Sequence, residues 1–177
     1  MMKLYVARHG ETTWNVENKI CGRTDAPLTD RGRTQAEELA RRAEGKGIEV
    51  ILASPLQRAV DTATAVSQVI GVPVLTDARL VEQHYGIYEG MDRFDEGFLA
   101  NKRQFASAYP GGESMLQLAH RLYGLLDEIR VKYAGKTVLL VCHNGVCRMI
   151  HTYFEPISNE EFAKFGVPNA YLLEYEL

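Results

Sequence analysis

The sequence has no apolar run long enough to cross a bilayer, no excess of basic residues and too few cysteines for a disulfide framework. Each lack removes a class of function. A membrane-spanning helix needs about 20 consecutive apolar residues. The N-terminal stretch Leu4-Tyr5-Val6-Ala7 instead runs straight into Arg8-His9, so neither a span nor a cleaved signal peptide fits. Lysine and arginine total 20 against 23 aspartate and glutamate, a formal net charge of -3, which gives no long-range attraction for nucleic acid or an anionic membrane. Any basic character that matters must be local. Three cysteines, Cys21, Cys142 and Cys147, cannot all pair, and two of them adjoin one apolar run; reduced thiols in a cytoplasmic protein are the simplest account. A Gly-rich Lys-Ser/Thr phosphate loop and a Gly-x-Gly-x-x-Gly fingerprint are also missing, so nucleotide-dependent transfer has no motif to rest on.

What is present is an ordinary globular composition, 46% hydrophobic and 24% charged, with no repeat or linker, which predicts one domain over residues 1–177. Leu4 to Ala7, Val50 to Ala53 and Val138 to Cys142 are short apolar runs bounded by polar or glycine-containing segments and read as buried strands. Between them the spacing turns helical. Ala36, Leu39, Ala40 and Ala43 follow Thr29-Asp30 on one face. A second helix is expected from Ser54-Pro55, with serine as cap and proline at the first helical position, carrying Leu56, Ala59, Val60, Ala63, Val66 and Ile70 inward. A third is predicted over Glu113 to Ala134, and a fourth from Asn144 to a point before Pro156. Ser158 with Glu161 forms a capping box for a short last helix, and Ala170 to Tyr175 reads as a closing strand. Strands alternating with helices predict an α/β fold, a mainly parallel sheet covered on both faces. Residues 91–112 are irregular, end in Pro110-Gly111-Gly112 and are expected to form an insertion or lid over the site.

Ligands of open parallel sheets bind beyond the carboxyl ends of the strands, where loops and helix N-termini converge. The first predicted strand delivers Arg8-His9-Gly10-Glu11-Thr12 with Asn15 beyond it, the second Ser54-Pro55-Leu56-Gln57-Arg58, and the third His143-Asn144-Gly145. Two histidines and two arginines on one edge suit a phosphate dianion, because guanidinium forks match phosphate oxygens and a neutral imidazole can attack phosphorus. Glu82, in Leu80-Val81-Glu82-Gln83-His84-Tyr85-Gly86, is the best-placed acid for a leaving group. Taken singly, each of these residues has an ordinary structural explanation; their convergence on one edge is what carries weight.

At this point the chain resembles the histidine phosphatases, the phosphoglycerate mutase-like superfamily, over nearly its whole length. The resemblance lies in Arg8-His9-Gly10-Glu11-Thr12 with Asn15, in Gly22-Arg23-Thr24-Asp25-Ala26-Pro27-Leu28-Thr29-Asp30-Arg31-Gly32, and in Ser54-Pro55-Leu56-Gln57-Arg58-Ala59. It continues through Glu82 and Gly86-Ile87-Tyr88-Glu89-Gly90, Pro110-Gly111-Gly112-Glu113-Ser114, and Val141-Cys142-His143-Asn144-Gly145-Val146-Cys147-Arg148. The resemblance implies a three-layer α/β/α sandwich and a phosphohistidine mechanism. His9 would attack phosphorus while Arg8, Arg58 and His143 hold its oxygens and Asn15 adds a hydrogen bond. Glu82 would protonate the leaving oxygen and then activate water; His143 is expected to be protonated among phosphate oxygens, and His9 to be neutral at the attacking nitrogen. The family most often has two glycines after the second histidine, whereas this chain has Asn144 before Gly145, whose side chain is expected to narrow the pocket.

Phosphatase and mutase share the phosphohistidine and differ in whether water or a second hydroxyl receives the group. The Glu82-Gln83-His84-Tyr85-Gly86 segment resembles the cofactor-dependent mutases. Those mutases are longer, carry a basic pair in the insertion and close the site with a C-terminal tail, while here the insertion offers Lys102-Arg103 in another context and Leu177 directly follows the last predicted strand. The favoured expectation is hydrolysis of a small-molecule phosphate ester, with a mutase and a non-catalytic phosphate- or protein-binding module as alternatives. No cofactor is expected, and no metal, since Cys142, His143 and Cys147 lack a second cluster and read as core thiols beside a site histidine. His84 and Tyr85 adjoin Glu82 and join the substrate-binding candidates. Arg23 and Thr24 are read either as contacts at the pocket mouth or as parts of a loop salt bridge. Trp14 is assigned to the core rather than to stacking on substrate. Nothing in the sequence fixes an oligomeric state.

Overall fold

In the computed structural model, which describes residues 2–177, five strands form one sheet: β1 (Lys3–Arg8), β2 (Val50–Ala53), β3 (Val74–Thr76), β4 (Val138–Cys142) and β5 (Leu172–Glu176). Their spatial order is β3-β2-β4-β1-β5, parallel throughout except for β5, which runs antiparallel along β1. The apolar runs that predicted β1, β2 and β4 are the three central strands, buried because helices cover both sheet faces. Alternation along the strands sorts the core into two halves. Leu4, Val6, Leu140 and Cys142 face one side with Leu118, Leu122, Val146 and Ile150, while Tyr5, Ala7, Leu139 and Val141 face the other with Leu39, Ala40, Ala59 and Ala63. The result is the three-layer α/β/α sandwich, with α2 (Asp30–Ala43) and α3 (Gln57–Ile70) on one face and α5 (Met115–Lys132) and α6 (Asn144–Phe154) on the other.

Caps explain most boundaries. Thr29 accepts from Gly32 N to start α2, and Ser114 with Gln117 and Ser158 with Glu161 form reciprocal capping boxes that start α5 and α7 (Asn159–Lys164). The expected serine cap at Ser54 is not there: α3 begins at Gln57 after Leu56, and its first N–H is met by the Asp25 carboxylate instead. The Ser54 hydroxyl is committed to a histidine, as described below. The closing strand starts at Leu172 rather than Ala170, because Ala170 has a left-handed backbone with φ of 54°. The stretch over residues 91–112 is less loose than its composition suggests. It contains α4 (Glu96–Asn101), and Phe98 and Tyr109 are buried against Tyr85 and Tyr88 in a cluster of stacked and edge-on rings. Trp14, on the single turn α1 (Thr13–Val16), is half-buried beside Gly90 and Lys19 rather than in the core. Among the described residues no helix is long and apolar enough to cross a membrane.

One close approach fixes how α2 meets the segment after β1. A Cβ at Gly32 would lie 2.0 Å from the Glu11 carbonyl oxygen, and one at Gly10 would lie 2.3 Å from the Gly32 carbonyl oxygen. Both obstacles are backbone, so neither can rotate away. Gly32→Ala is therefore expected to cost about 1–3 kcal/mol through overpacking, read as a lowered urea midpoint; an unchanged midpoint would show that the helix can slide.

Candidate active site

The register puts three strand ends level: Arg8 pairs with Cys142 and Ala53 with Val141. The next residues continue the ladder, His9 N donating to Cys142 O at 3.0 Å and Ser54 N to Val141 O at 2.9 Å. His9, Ser54 and His143 thus emerge side by side at the carboxyl edge, beneath a cavity of about 150 Å³ whose walls include Arg8, His9, Asn15, Glu82, Tyr85 and Asn144.

His9 Nδ1 lies 2.7 Å from the Gly10 carbonyl oxygen. A carbonyl only accepts, so Nδ1 carries the proton, and in the neutral ring Nε2 keeps its lone pair. The ring is 5% exposed. Its pKa is held well below 6.5 by burial first, then by the charges of Arg58 and Arg8. His143 lies behind it, ring centroids 5.2 Å apart, with Nε2 bonded to Ser54 Oγ at 2.7 Å and Nδ1 buried without a partner. Burial, Arg58, His9 and Arg8 in turn also hold His143 well below 6.5, so the protein's own groups keep it neutral. Arg58 is 1% exposed; its Nη1 donates to Thr24 O and pairs with Asp25 Oδ1, both at 3.0 Å, and its Nη2 donates to Gly22 O at 2.6 Å. Arg8 gives Nη1 to Val167 O at 2.6 Å and leaves Nε buried and unpaired.

Glu82 is 4% exposed and enters from the opposite wall, where Oε1 accepts from Gln83 N at 2.8 Å and Oε2 from Gly145 N at 3.0 Å. A Cβ at 145 would sit 2.6 Å from Glu82 Oε1 and 2.9 Å from the Tyr85 hydroxyl, so any larger residue there would displace one of these site side chains. Arg121 on α5 holds the Glu82 strap, donating to the carbonyls of Glu82 and Arg79 while gripping both Glu113 carboxylate oxygens.

Residues 4–177 match the family model of the histidine phosphatase superfamily (branch 1). The chain belongs to this superfamily. It is 38% identical over 150 residues to the probable phosphoglycerate mutase GpmB of Cronobacter sakazakii, covering 81% of this chain and 70% of that one. It is 29% identical to phosphoserine phosphatase 1 of Hydrogenobacter thermophilus, covering 96% and 84%. The solved mycobacterial glucosyl-3-phosphoglycerate phosphatase superposes with a TM-score of 0.85 at 29% identity, covering 97% of this chain and 88% of that one.

In this histidine phosphatase the residues selected from the sequence divide by depth. Arg8, His9, Asn15, Glu82, Tyr85 and Asn144 line the cavity, whereas Arg58 and His143 lie behind it. Asn15 Oδ1 accepts from Thr12 N at 3.0 Å and Asn169 Nδ2 at 3.2 Å, which leaves its amide hydrogens as the free donors. Asn144 Oδ1 is turned onto Val167 N at 2.8 Å, pinning the segment before β5. Arg23, Thr24 and His84 do not line this cavity. Arg23 and His84 border a separate shallow pocket with Glu113, where the Arg23 guanidinium lies 4.0 Å from the carboxylate, and Thr24 contributes backbone groups to Arg58 and Glu89. Sequence reasoning missed Glu89, which accepts from the backbone N–H groups of Gly22, Arg23 and Thr24 and so shapes the loop that holds Arg58. It also missed Asn169, which donates to the His9 carbonyl at 3.1 Å, and it did not place Arg93, Lys102 or Arg148 in the cavity wall. Cys142 and Cys147 are fully buried core thiols 3.6 Å apart.

Both histidines have folded-state pKa values below the unfolded value near 6.5. Below that pH the unfolded chain binds protons that the folded chain refuses, so proton uptake pulls toward unfolding, and above it the effect vanishes. Stability should therefore fall as pH drops from about 7.5 to about 5.5, and a His9→Asn/His143→Asn double variant should lose part of that slope. Parallel slopes in urea titrations of the two proteins would contradict the neutral pair.

Proposed function

We propose that this histidine phosphatase is a phosphomonoesterase acting, as one domain, on a small phosphorylated metabolite through a phosphorylated His9. The observation that carries the reading is the neutral, buried His9 with Nδ1 tied to Gly10 and Nε2 left nucleophilic, with the Glu82 carboxyl group in the wall of the same cavity. Nε2 attacks phosphorus; the ester P–O bond breaks, its electron pair leaves with the alcohol oxygen, and the Glu82 carboxyl supplies the proton. Glu82, now a carboxylate, takes a proton from water, whose oxygen attacks phosphorus as the P–N bond breaks and returns its pair to His9. Arg8 Nε, buried and unpaired, is a ready donor to a phosphoryl oxygen.

Arg58 and His143 act from behind. Arg58 is held through both Nη atoms by the 22–25 loop, with only its Nε unpaired, and contributes positive potential that keeps His9 neutral. His143 gains a proton only as phosphoryl charge arrives, when its unpartnered Nδ1 becomes a donor. No step needs a metal ion. Phosphatases among the relatives align over 96–97% of the chain, which favours water as the acceptor. The higher identity to a probable mutase supports a second reading, in which a substrate hydroxyl takes the group.

A panel of phosphomonoesters with EDTA, beside a phosphoglycerate mutase assay primed with 2,3-bisphosphoglycerate, separates these readings. Chelator-resistant hydrolysis is expected; loss of activity with EDTA contradicts the metal-free route, and fast primed turnover favours the mutase. His9→Ala should abolish phosphoenzyme, and Glu82→Gln should slow turnover by about 10²–10⁴-fold, most for poor leaving groups.

A further inference from the structure

Thr29, Gly32 and Gln35 recur at every third residue where α2 begins, which brings them to one side of the helix. That side meets the two residues that follow the nucleophile. Thr29 N donates to Glu11 O, and the Thr29 hydroxyl to Glu11 Oε1, both at 2.9 Å. Gly32, having no Cβ, lets the Glu11 backbone come close. One turn further on, Gln35 reaches that backbone, its Oε1 accepting from Glu11 N at 2.8 Å. Gln35 is half-buried and does not line the catalytic cavity, and the mechanism above makes no use of it.

What Gln35 holds matters because Gly10 C=O and Glu11 N–H belong to one planar peptide unit and point in opposite directions across it. The Gly10 carbonyl takes His9 Nδ1 at 2.7 Å, and among the described residues it accepts from no other group. A continuous chain therefore runs from His9 Nδ1–H through the Gly10 carbonyl and the Glu11 N–H to the Gln35 side-chain oxygen. Hydrogen bonds in such a chain polarise one another: a peptide that donates through its N–H is a stronger acceptor at its C=O. The preceding peptide is fixed from α3, where Thr62 Oγ1 accepts from Gly10 N at 3.0 Å and donates to Arg58 O at 2.7 Å. Thr62 does not replace Gln35, because Gly10 N lies outside the peptide unit that His9 uses.

We infer that Gln35 is a positioning residue for the nucleophile: it holds the peptide plane between Gly10 and Glu11 at the angle His9 needs, and it strengthens the Gly10 carbonyl as the acceptor that keeps the proton on Nδ1. The inference rests on the phosphohistidine reading. A firmer grip on Nδ1–H leaves more electron density at Nε2, the nitrogen that forms the bond to phosphorus. Gln35 touches no substrate, so its loss falls on kcat and leaves KM unchanged.

The test uses the full chain and p-nitrophenyl phosphate, whose alcohol leaves without a proton, so that the first turnover reports the attack by His9. Gln35→Leu removes the acceptor at similar size, Gln35→Glu keeps an oxygen on Glu11 N–H, and Gln35→Ala preserves helix propensity and repeats the measurement if the leucine variant folds poorly. First-turnover release of p-nitrophenol should fall about three- to tenfold in Gln35→Leu, the worth of one hydrogen bond, and be retained in Gln35→Glu, with KM the same in all. In protein labelled with 15N-histidine, the His9 Nδ1 proton resonance, identified by its absence from His9→Ala, should move upfield in Gln35→Leu and stay in place in Gln35→Glu. A wild-type first-turnover rate in the folded Gln35→Leu or Gln35→Ala protein, an unmoved Nδ1 proton, or an equal loss in Gln35→Glu overturns the role of Gln35, while His9-dependent hydrolysis leaves the phosphohistidine reading standing. Hydrolysis that survives His9→Ala removes both.

Discussion

The 2.7 Å hydrogen bond from His9 Nδ1 to the Gly10 carbonyl decides what the rest of the site is for. It assigns the proton to one ring nitrogen and leaves the other its lone pair, available for the proposed attack only while the ring stays neutral. Neutrality is supplied by place: the ring is buried at the end of β1, with Arg58 and Arg8 close enough to oppose a third positive charge. In the proposed mechanism the positive potential that favours a phosphate dianion also keeps the attacking group in its reactive form, so nucleophile and anion site are one electrostatic arrangement.

That arrangement depends on groups that never reach the cavity. Glu89 collects the backbone N–H groups of Gly22 to Thr24, the carbonyls of that loop and the Asp25 carboxylate hold both Nη atoms of Arg58, and Arg58 in turn raises the potential at both histidines. On the other wall, Glu113 orients Arg121, and Arg121 holds the strap that presents Glu82. The segment before β5 closes the third side, where Val167 binds Arg8 and Asn144 while Asn169 binds His9 and Asn15.

Much of this was legible in the sequence because two periodicities and a few caps are strong local signals. The apolar runs of β1, β2 and β4 and the Thr29 and Ser158 caps translate directly into elements, and the sheet edge follows from topology. Ser54 was legible as a polar residue before a helix but not as the partner of His143, because helix caps and side-chain anchors use the same hydroxyl. Helix α4 is six residues long, too short to show a period. Depth was also hidden. Strand ends predict that Arg58 and His143 come near His9, yet only packing shows them behind the cavity, with Arg58 spent on a loop. The burial of Arg148 was not legible, because on a helix an arginine ordinarily reaches solvent.

The most direct measurement is the site of phosphorylation itself. Acid-quenched enzyme after a single turnover, or enzyme loaded with a phosphoryl donor, would be digested and the phosphohistidine examined by 31P NMR against the two imidazole isomers. With Gly10 holding Nδ1, the phosphoryl group is predicted on Nε2 of His9. Phosphate on Nδ1, on His143 or on no histidine would contradict the assignment of His9 as a tautomerically fixed nucleophile.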